Sequence, residues 1–479
     1  MRIAKYLLIA FLSLVLLLAP FFLLLGVALF APPAFEDSFV GILDEKFERL
    51  TAIEEDKIVV VGGSSVAFGI DSELLEKYLG MPVVNFGLYA ALGTKLMLDL
   101  SLAGIDEGDI VVISPEMDEE ALSLFFGADT VWRAIDGSPE MLQYIDFDNY
   151  PALFGALYGF SSSKLEYLLG DGSEINSGIY LSCYFDEYLD FDYPRENNVM
   201  FSYYEKNNLI ELNVDAYGDA FDEFIDYLNV YIEECKRRGA RVFFSPSSMN
   251  KMAVKGDEKT IGELEDKLSS SLDCPLISDF DDLILDAGYF FDTNFHLNEA
   301  GRRVRTMRLA EDLKLAAKIL RPAITDSEPP IPELPEIEIR FDGVDENVKY
   351  FTFETSDSGA YIITGLTEEG KLMTHLTLPL GYEGYIVESV GEGAFRGSSL
   401  ESLTVSADSK IAYFEDGAFY GAGNLKRLII YKKSGDEILP PASFSGVNSQ
   451  FTVFVPKGSD FSTHYYWSER HVNFEYITE

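Results

Sequence analysis

The sequence predicts an α/β protein with an apolar amino-terminal helix, a domain built on a parallel sheet, and a β-rich repeat domain at the carboxyl end. Three observations lead to this prediction. An uncharged apolar run extends from Tyr6 to Phe35. Short apolar segments alternate with helical patterns from residue 56 onward, which is typical of a parallel sheet covered by helices. A motif then recurs at offsets of 24 and 25 residues, which indicates stacked structural repeats.

The composition excludes several classes of function. The 479 residues include 37 basic and 80 acidic side chains, for a net charge of −43. A polyanion of this size repels phosphates, so nucleic-acid binding is excluded. The three cysteines (Cys183, Cys235 and Cys274) have no ligand-like spacing, and His296 is the only histidine before residue 375. We therefore expect no disulfide scaffold, no metal site and no cofactor.

The apolar run near the amino terminus predicts a membrane anchor within residues 1–35. Spanning the hydrocarbon core takes about 20 apolar residues, and this run is longer. Basic residues precede the run and acidic residues follow it, so the positive-inside rule places a short stub in the cytoplasm and the remainder outside the cell. The expected localisation is the cell membrane, with one span and an extracellular ectodomain. A cleaved signal peptide and a buried helix are the alternatives.

The alternating pattern between residues 56 and 320 predicts the parallel-sheet domain. Buried strands are expected at 57–61, 82–86, 109–114, 241–245 and 275–277, and helices at 72–79, 92–103, 220–238, 258–270 and 298–319. Residues 118–216 interrupt the pattern with many acidic and aromatic side chains. We interpret this stretch as an insertion over one end of the sheet, whose rings either fill the core or line a sugar-binding groove.

The carboxyl-terminal part of the chain has a different composition. A proline-rich acidic segment at 321–344 predicts a semi-rigid linker, and residues 345–479 are rich in β-branched residues, glycine and serine. The repeated motifs there are Gly393-Ala-Phe-Arg-Gly397, Gly417-Ala-Phe-Tyr-Gly421 and Ala442-Ser-Phe-Ser-Gly446, with strand-like segments between them.

These motifs resemble the BspA-type leucine-rich repeats of bacterial surface proteins. The ending Val455-Pro-Lys-Gly458, followed by Tyr465, Tyr466 and Trp467, is similar to that family's terminal segment. The resemblance implies a leucine-rich repeat solenoid, in which each repeat packs on the next. A protein or glycan ligand is one expected role for this domain, and a spacer or cap is the other.

Two motifs at opposite ends of the α/β domain carry the candidate chemistry. The first predicted strand runs into Gly62-Gly63-Ser64, which places a serine where open parallel sheets hold their sites. Asp292 and His296 stand just before the last helix. A serine hydroxyl needs a base near neutral pH, and the base needs an orienting carboxylate. Ser64, His296 and Asp292 are therefore the candidate catalytic residues, and structural roles as helix caps or turn residues are the alternative.

The two motifs together resemble the SGNH (GDSL-like) hydrolases, whose first block carries the nucleophile and whose last block carries Asp and His. The resemblance implies a flavodoxin-like three-layer α/β/α fold over residues 56–320 and an acyl-transfer mechanism. Three residues separate Asp292 from His296, where the commoner pattern has two. Gly69-Ile70-Asp71 is similar to a divergent membrane-anchored subgroup, which includes the D-alanine-transfer protein of teichoic acid assembly and the alginate O-acetylation proteins.

The same resemblance implies an oxyanion hole made of backbone N–H groups. Its donors are Ser64 and one residue of the segment that matches the second block, for which the candidates are Gly87, Ala90 and Gly93. The glycine–asparagine pair of the third block is missing, and Pro115-Glu116 follows that strand instead. The possible substrate-binding residues are Glu116, Arg302 and Arg305. A solvated acid and surface salt bridges are their alternative roles.

The sequence thus predicts a surface-anchored serine esterase or O-acyltransferase that acts on an envelope or extracellular glycan. Water as the acyl acceptor makes the enzyme an esterase, and a sugar or polyol hydroxyl makes it an acyltransferase. The expected partners are the membrane, an acylated glycan or cell-wall polymer, and the ligand of the repeats. The competing hypothesis is a catalytically inactive SGNH scaffold whose repeats act as an adhesin or binding module.

Overall fold

The computed structural model describes residues 2–169, 179–200, 209–334, 340–356, 358–441, 443–462, 464, 467, 470 and 472–477. The chain divides into two compact units, Met1–Ile175 with Leu181–Pro335, and Asn176–Tyr180 with Glu336–Glu479. Three residues of the predicted repeat motifs, Ala442, Tyr465 and Tyr466, lie outside the described residues.

A parallel sheet forms the centre of the first unit. The strands of this unit are β1 (Ile58–Gly62), β2 (Val83–Gly87), β3 (Ile110–Ile113), β4 (Ile210–Glu211), β5 (Arg241–Phe244), β6 (Met249–Asn250), β7 (Val254–Lys255) and β8 (Ile284–Leu285). The central sheet has the order β2-β1-β3-β5, and each of its neighbouring pairs is parallel. Apart from Arg241 its residues are buried, as expected for a sheet covered on both faces. The protein is mixed α/β with parallel sheets, as the sequence predicts.

The first unit also contains helices, some of which pack on this sheet. They are α1 (Arg2–Phe30), α2 (Leu43–Ala52), α3 (Ser64–Gly69), α4 (Ser72–Leu79), α5 (Thr94–Ser101), α6 (Ala128–Ala134), α7 (Tyr150–Leu168), α8 (Val214–Arg237), α9 (Glu258–Ser271), α10 (Phe280–Leu283) and α11 (Glu299–Ala316). Leu75 of α4 and Leu309 of α11 join Val60 and Val112 of the sheet in one apolar cluster. The strand predicted at 275–277 is reduced to a single bridge between Phe244 and Leu276.

The predicted membrane anchor is wrong. Within the part of the chain that the structure describes, we find no helix with the length and apolar character needed to cross a bilayer. The last turns of α1 pack instead against α7: the rings of Phe21 and Phe154 lie 5.6 Å apart, and Ser161 Oγ donates to the Leu24 carbonyl at 3.0 Å. Ala28 is 2% exposed. The same finding contradicts the predicted single-pass localisation, with its cytoplasmic stub and extracellular ectodomain. It also contradicts the membrane as an expected partner.

Residues 321–334 belong to the segment predicted as a semi-rigid linker. They run along the first unit, where Tyr78 donates its hydroxyl to Asp326 at 2.6 Å and Tyr289 donates to the Pro329 carbonyl at 2.8 Å. Arg308 of α11 pairs with Glu328. Acidic side chains of this segment thus pair with a phenolic group and a basic group of the first unit.

The second unit is built from stacked strands. They are β9 (Phe351–Thr355), β10 (Tyr361–Leu366), β11 (His375–Thr377), β12 (Gly381–Tyr382), β13 (Tyr385–Val390), β14 (Ser402–Val405), β15 (Tyr413–Phe414), β16 (Arg427–Ile430), β17 (Thr452–Val455) and β18 (Asn473–Tyr476). One sheet has the order β11-β14-β16-β17-β18 and is parallel throughout. Ser402 pairs with Arg427 and Arg427 with Thr452, so the register advances by one sequence repeat per strand.

The repeated motif of this unit has a direct physical explanation. Phe419 lies between Phe395 and Phe444, with ring centroids 5.6 and 5.2 Å away. The glycine that opens the motif has φ of 64° at Gly393 and 75° at Gly417, a left-handed conformation that favours glycine. The phenylalanines therefore form a continuous buried column, and the glycines permit the turns that hold it.

Candidate active site

Ser64 lies at the turn between β1 and α3. Gly62 ends the strand, Ser64 is the first residue of the helix, and its side chain is 7% exposed. A Cβ atom at Gly63 would lie 2.3 Å from Glu116 Oε2, so a residue with a side chain at this position would require the Glu116 carboxylate to move. The tight turn presents Ser64 at the carboxyl edge of the parallel sheet.

His296 reaches Ser64 from the segment before α11. Its Nε2 lies 2.7 Å from Ser64 Oγ, and its Nδ1 lies 2.8 Å from Asp292 Oδ1. The Thr293 hydroxyl accepts the backbone N–H of His296 at 3.0 Å, which folds this segment into a compact turn. Asp292 and His296 therefore meet although three residues separate them. The structure brings the three candidate catalytic side chains together in one hydrogen-bonded chain.

The imidazole ring of His296 is held in place by aromatic stacking. It lies on Phe68 of α3 with ring centroids 4.0 Å apart and an angle of 8° between the planes. Phe68 in turn contacts Phe191 of the insertion at 4.3 Å, and both phenylalanines are fully buried. Phe191 thus fills the core beneath the site, which is the first of the two roles expected for the rings of the insertion.

Arg195 is a supporting residue that the sequence did not reveal. It is 1% exposed and donates to the carbonyls of Leu297, Phe68 and Phe191 at 2.9, 3.1 and 2.8 Å. Burial lowers the pKa of this guanidinium to about 9. Its hydrogen bonds connect α3 and the insertion to the segment that carries His296. Two of the acceptors are 102 and 127 residues away in sequence, and no local pattern marks such a residue.

The candidate oxyanion donors fall into two groups. The Ser64 N–H begins α3, where a backbone N–H has no acceptor inside the helix. The Gly87 N–H donates to Asn85 Oδ1 at 3.1 Å, and the Gly93 N–H donates to the Ala90 carbonyl at 2.8 Å. Those two glycines are therefore already engaged. Ala90 is the first residue of a short 3-10 turn, so its backbone N–H has no acceptor within that turn.

Glu116 is buried beside the nucleophile, so the expectation of a solvated acid is wrong. Its side chain is 2% exposed. Oε1 accepts the Ser65 backbone N–H at 2.8 Å and lies 3.4 Å from Ser64 Oγ. The neighbouring carboxyl of Asp118 responds to this placement: burial and, secondarily, the charge of Glu116 raise its pKa to about 6.

The two arginines singled out in the sequence have structural partners. Arg302 donates to Asp192 Oδ1 and to the Phe191 carbonyl, both at 3.4 Å. Arg305 is 2% exposed and donates to Ser245 Oγ at 2.7 Å and to the Pro246 carbonyl at 3.2 Å. Arg302 thus forms the salt bridge considered as its alternative role, and Arg305 fixes the loop after β5.

Comparison of the chain with protein-family models, with curated proteins and with solved structures found no match. The family resemblances of the two domains therefore stay predictions, and the arguments for function rest on the geometry around Ser64.

Proposed function

We propose that this protein is a serine-dependent acyl-transfer enzyme, an esterase or O-acyltransferase that acts on an acylated glycan. The observation that carries the proposal is the chain from Ser64 Oγ through His296 to Asp292, with atoms 2.7 and 2.8 Å apart. A hydroxyl, an imidazole and a carboxylate in this order provide a nucleophile, its base and the group that orients the base.

The reaction divides into two half-reactions. Ser64 Oγ attacks the ester carbonyl carbon while His296 Nε2 takes the hydroxyl proton. Asp292 accepts the Nδ1–H, which keeps Nε2 directed at Ser64 and stabilises the imidazolium. The ester C–O bond then breaks, and His296 returns the proton to the departing alcohol. Water or a sugar hydroxyl attacks the acyl-serine with the same imidazole as base, and this step regenerates Ser64.

The backbone at the start of α3 supports the same chemistry. The Ser64 N–H is at the first helical position and can donate to the oxygen that becomes negative during attack. One donor of this kind is worth about 3–4 kcal/mol of the activation barrier. A second donor from the Ala90 turn would complete the oxyanion hole.

The substrate class rests on two arguments. The motifs of the first unit resemble proteins that acylate envelope and extracellular polysaccharides, and the repeats resemble modules of surface proteins. Because a net charge of −43 opposes polyanions such as teichoic acid and alginate, the charge favours a neutral member of this substrate class. We therefore propose an acylated glycan or cell-wall polymer as the substrate, and a protein or glycan ligand for the second unit.

The test is hydrolysis of 4-nitrophenyl acetate by the full chain. We expect Ser64→Ala and His296→Asn each to lower kcat by at least about 10³-fold. Ser269→Ala and His375→Asn change the same residue types at exposed positions and serve as matched controls. Activity that is unchanged in folded Ser64→Ala rejects the proposal.

A second candidate function is favoured by one observation. The Glu116 carboxylate, which only accepts hydrogen bonds, stands where the SGNH pattern has an asparagine that donates one. Under this hypothesis the first unit is inactive and the protein binds a glycan or a host protein through its repeats. Folded protein that hydrolyses no ester but binds a glycan array through residues 345–479 favours this candidate.

A further inference from the structure

Glu116 contributes a buried carboxylate of which one oxygen is unused. Oε1 accepts the Ser65 N–H at 2.8 Å. Among the residues that the structure describes, Oε2 has no hydrogen-bond partner, although the side chain is 2% exposed. An unpaired carboxylate oxygen away from water is costly. Oε1 of the same carboxylate lies 3.4 Å from Ser64 Oγ, so a substrate bound at Ser64 could supply the missing donor to Oε2.

Three buried serine hydroxyls also lack a hydrogen-bond partner within the described residues. They belong to Ser65, Ser247 and Ser248, which are 4%, 3% and 3% exposed. Ser65 is the residue whose N–H binds Glu116. The buried surroundings of the nucleophile therefore contain several polar groups that the protein itself does not satisfy.

The loop with Ser247 and Ser248 is fixed next to the site at both ends. The Ser247 N–H donates to the Pro115 carbonyl at 3.0 Å, one residue before Glu116. The Asn250 N–H donates to the Asn294 carbonyl at 3.0 Å, two residues before His296. The two unpaired hydroxyls lie between these attachments, so they belong to the same edge of the sheet as the catalytic groups.

The chemistry of these four groups restricts which ligand could satisfy their hydrogen bonds. A carboxylate oxygen only accepts, whereas a serine hydroxyl both donates and accepts. A ligand hydroxyl can donate to Glu116 and exchange hydrogen bonds with the serines. An alkyl group satisfies none of them, and an anionic group is repelled by the carboxylate.

We propose that Glu116, Ser65, Ser247 and Ser248 form a buried subsite that binds a free hydroxyl group next to the reacting ester. The subsite selects partly acylated polyols over simple alkyl esters. The inference rests on the proposed function in one respect, because it takes Ser64 as the point where the ester reacts.

The test compares two ligands that differ by one hydroxyl, trans-2-hydroxycyclohexyl acetate and cyclohexyl acetate. Binding to the full chain with Ser64→Ala is measured by ligand-observed NMR, so that neither ligand is consumed. We expect the hydroxylated ester to bind at least about tenfold more tightly, as one added hydrogen bond to a charged group provides. Adding Glu116→Gln, which preserves the shape of the side chain, should remove most of this preference. Glu119→Gln makes the same change at an exposed position and should retain it.

The outcomes separate the subsite from the acyl-transfer proposal. Equal affinities for the two esters overturn the subsite, even if the wild-type chain is an esterase. A preference that persists in folded Glu116→Gln also overturns it. If Glu116→Gln does not fold, Ser247→Ala with Ser248→Ala replaces it, with the same expected loss of preference. Selective binding without any Ser64-dependent turnover supports the subsite and rejects acyl transfer.

Discussion

Replacing Asp292 with asparagine removes the charge that faces His296 while keeping the shape of the side chain. The two side chains meet at 2.8 Å, and that of Asp292 is 14% exposed. With about 4 Å between the centres of charge and an effective dielectric constant of about 20, Coulomb's law gives about 4 kcal/mol for the imidazolium–carboxylate pair. The imidazolium exists only while His296 holds the Ser64 proton. Losing this charge interaction therefore raises the activation barrier, and we expect kcat to fall by about 10³-fold.

The assay is the steady-state hydrolysis of 4-nitrophenyl acetate between pH 7 and 8, with kcat and KM determined separately. KM should change little, because Asp292 contacts the imidazole and not the ester. Asp266→Asn, an exposed change on α9, is the control for removal of one negative charge. A folded Asp292→Asn protein, checked by its thermal melt, that loses less than about tenfold in kcat refutes the assignment of this carboxylate.

Three further predictions concern stability. Arg195→Met removes the hydrogen bonds from Arg195 to three backbone carbonyls, of which the Phe191 carbonyl keeps Arg302 as a donor, so the free energy of unfolding in urea should fall by about 3 kcal/mol. An unchanged value would contradict the structural role of Arg195. Burial and the charge of Glu116 raise the pKa of Asp118 to about 6. The carboxyl of Asp118 therefore binds its proton more tightly in the folded chain than in the unfolded chain. As the pH rises from about 4 to 6, loss of this proton progressively lowers the free energy of unfolding. Asp118→Asn should therefore stabilise the protein by at most about 3 kcal/mol at pH 7 and by almost nothing at pH 4, and equal gains in Tm at both pH values would count against this sign. Phe419→Ala should destabilise the second unit by about 3–5 kcal/mol in a thermal melt, whereas Tyr420→Ala, 53% exposed, should change it by less than about 1 kcal/mol.

The three candidate catalytic side chains can be identified from the sequence because their chemistry is rare and local. A serine after a buried strand and a lone histidine near an aspartate are visible without any knowledge of tertiary contacts. Phe68 and Arg195 cannot be identified in this way, since each acts through contacts with distant segments. Glu116 stands out in the sequence because it replaces the expected glycine–asparagine pair. Its close approach to Gly63 is a tertiary contact that the sequence does not reveal.

The amino-terminal helix shows a limit of hydropathy. A run of apolar residues indicates that a helix is shielded from water, but it does not indicate whether lipid or protein shields it. Here one face of the last turns of α1 packs on α7, which also supplies Ser161 and Lys164 as donors to the carbonyls of Leu24 and Ala28. These contacts join residues 136 and 137 positions apart, a distance that no sequence window samples.

The glycines that frame the repeated motif also connect one coil of the second unit to the next. The Gly393 N–H donates to the Gly417 carbonyl at 2.9 Å, and the Gly397 N–H donates to the Gly421 carbonyl at 3.0 Å. The coil that contains Gly417 and Gly421 thus provides the acceptors for the coil before it. A domain joined in this way can be lengthened or shortened by whole periods with every donor still matched, whereas an insertion of a few residues would displace a phenylalanine from the column and break the match.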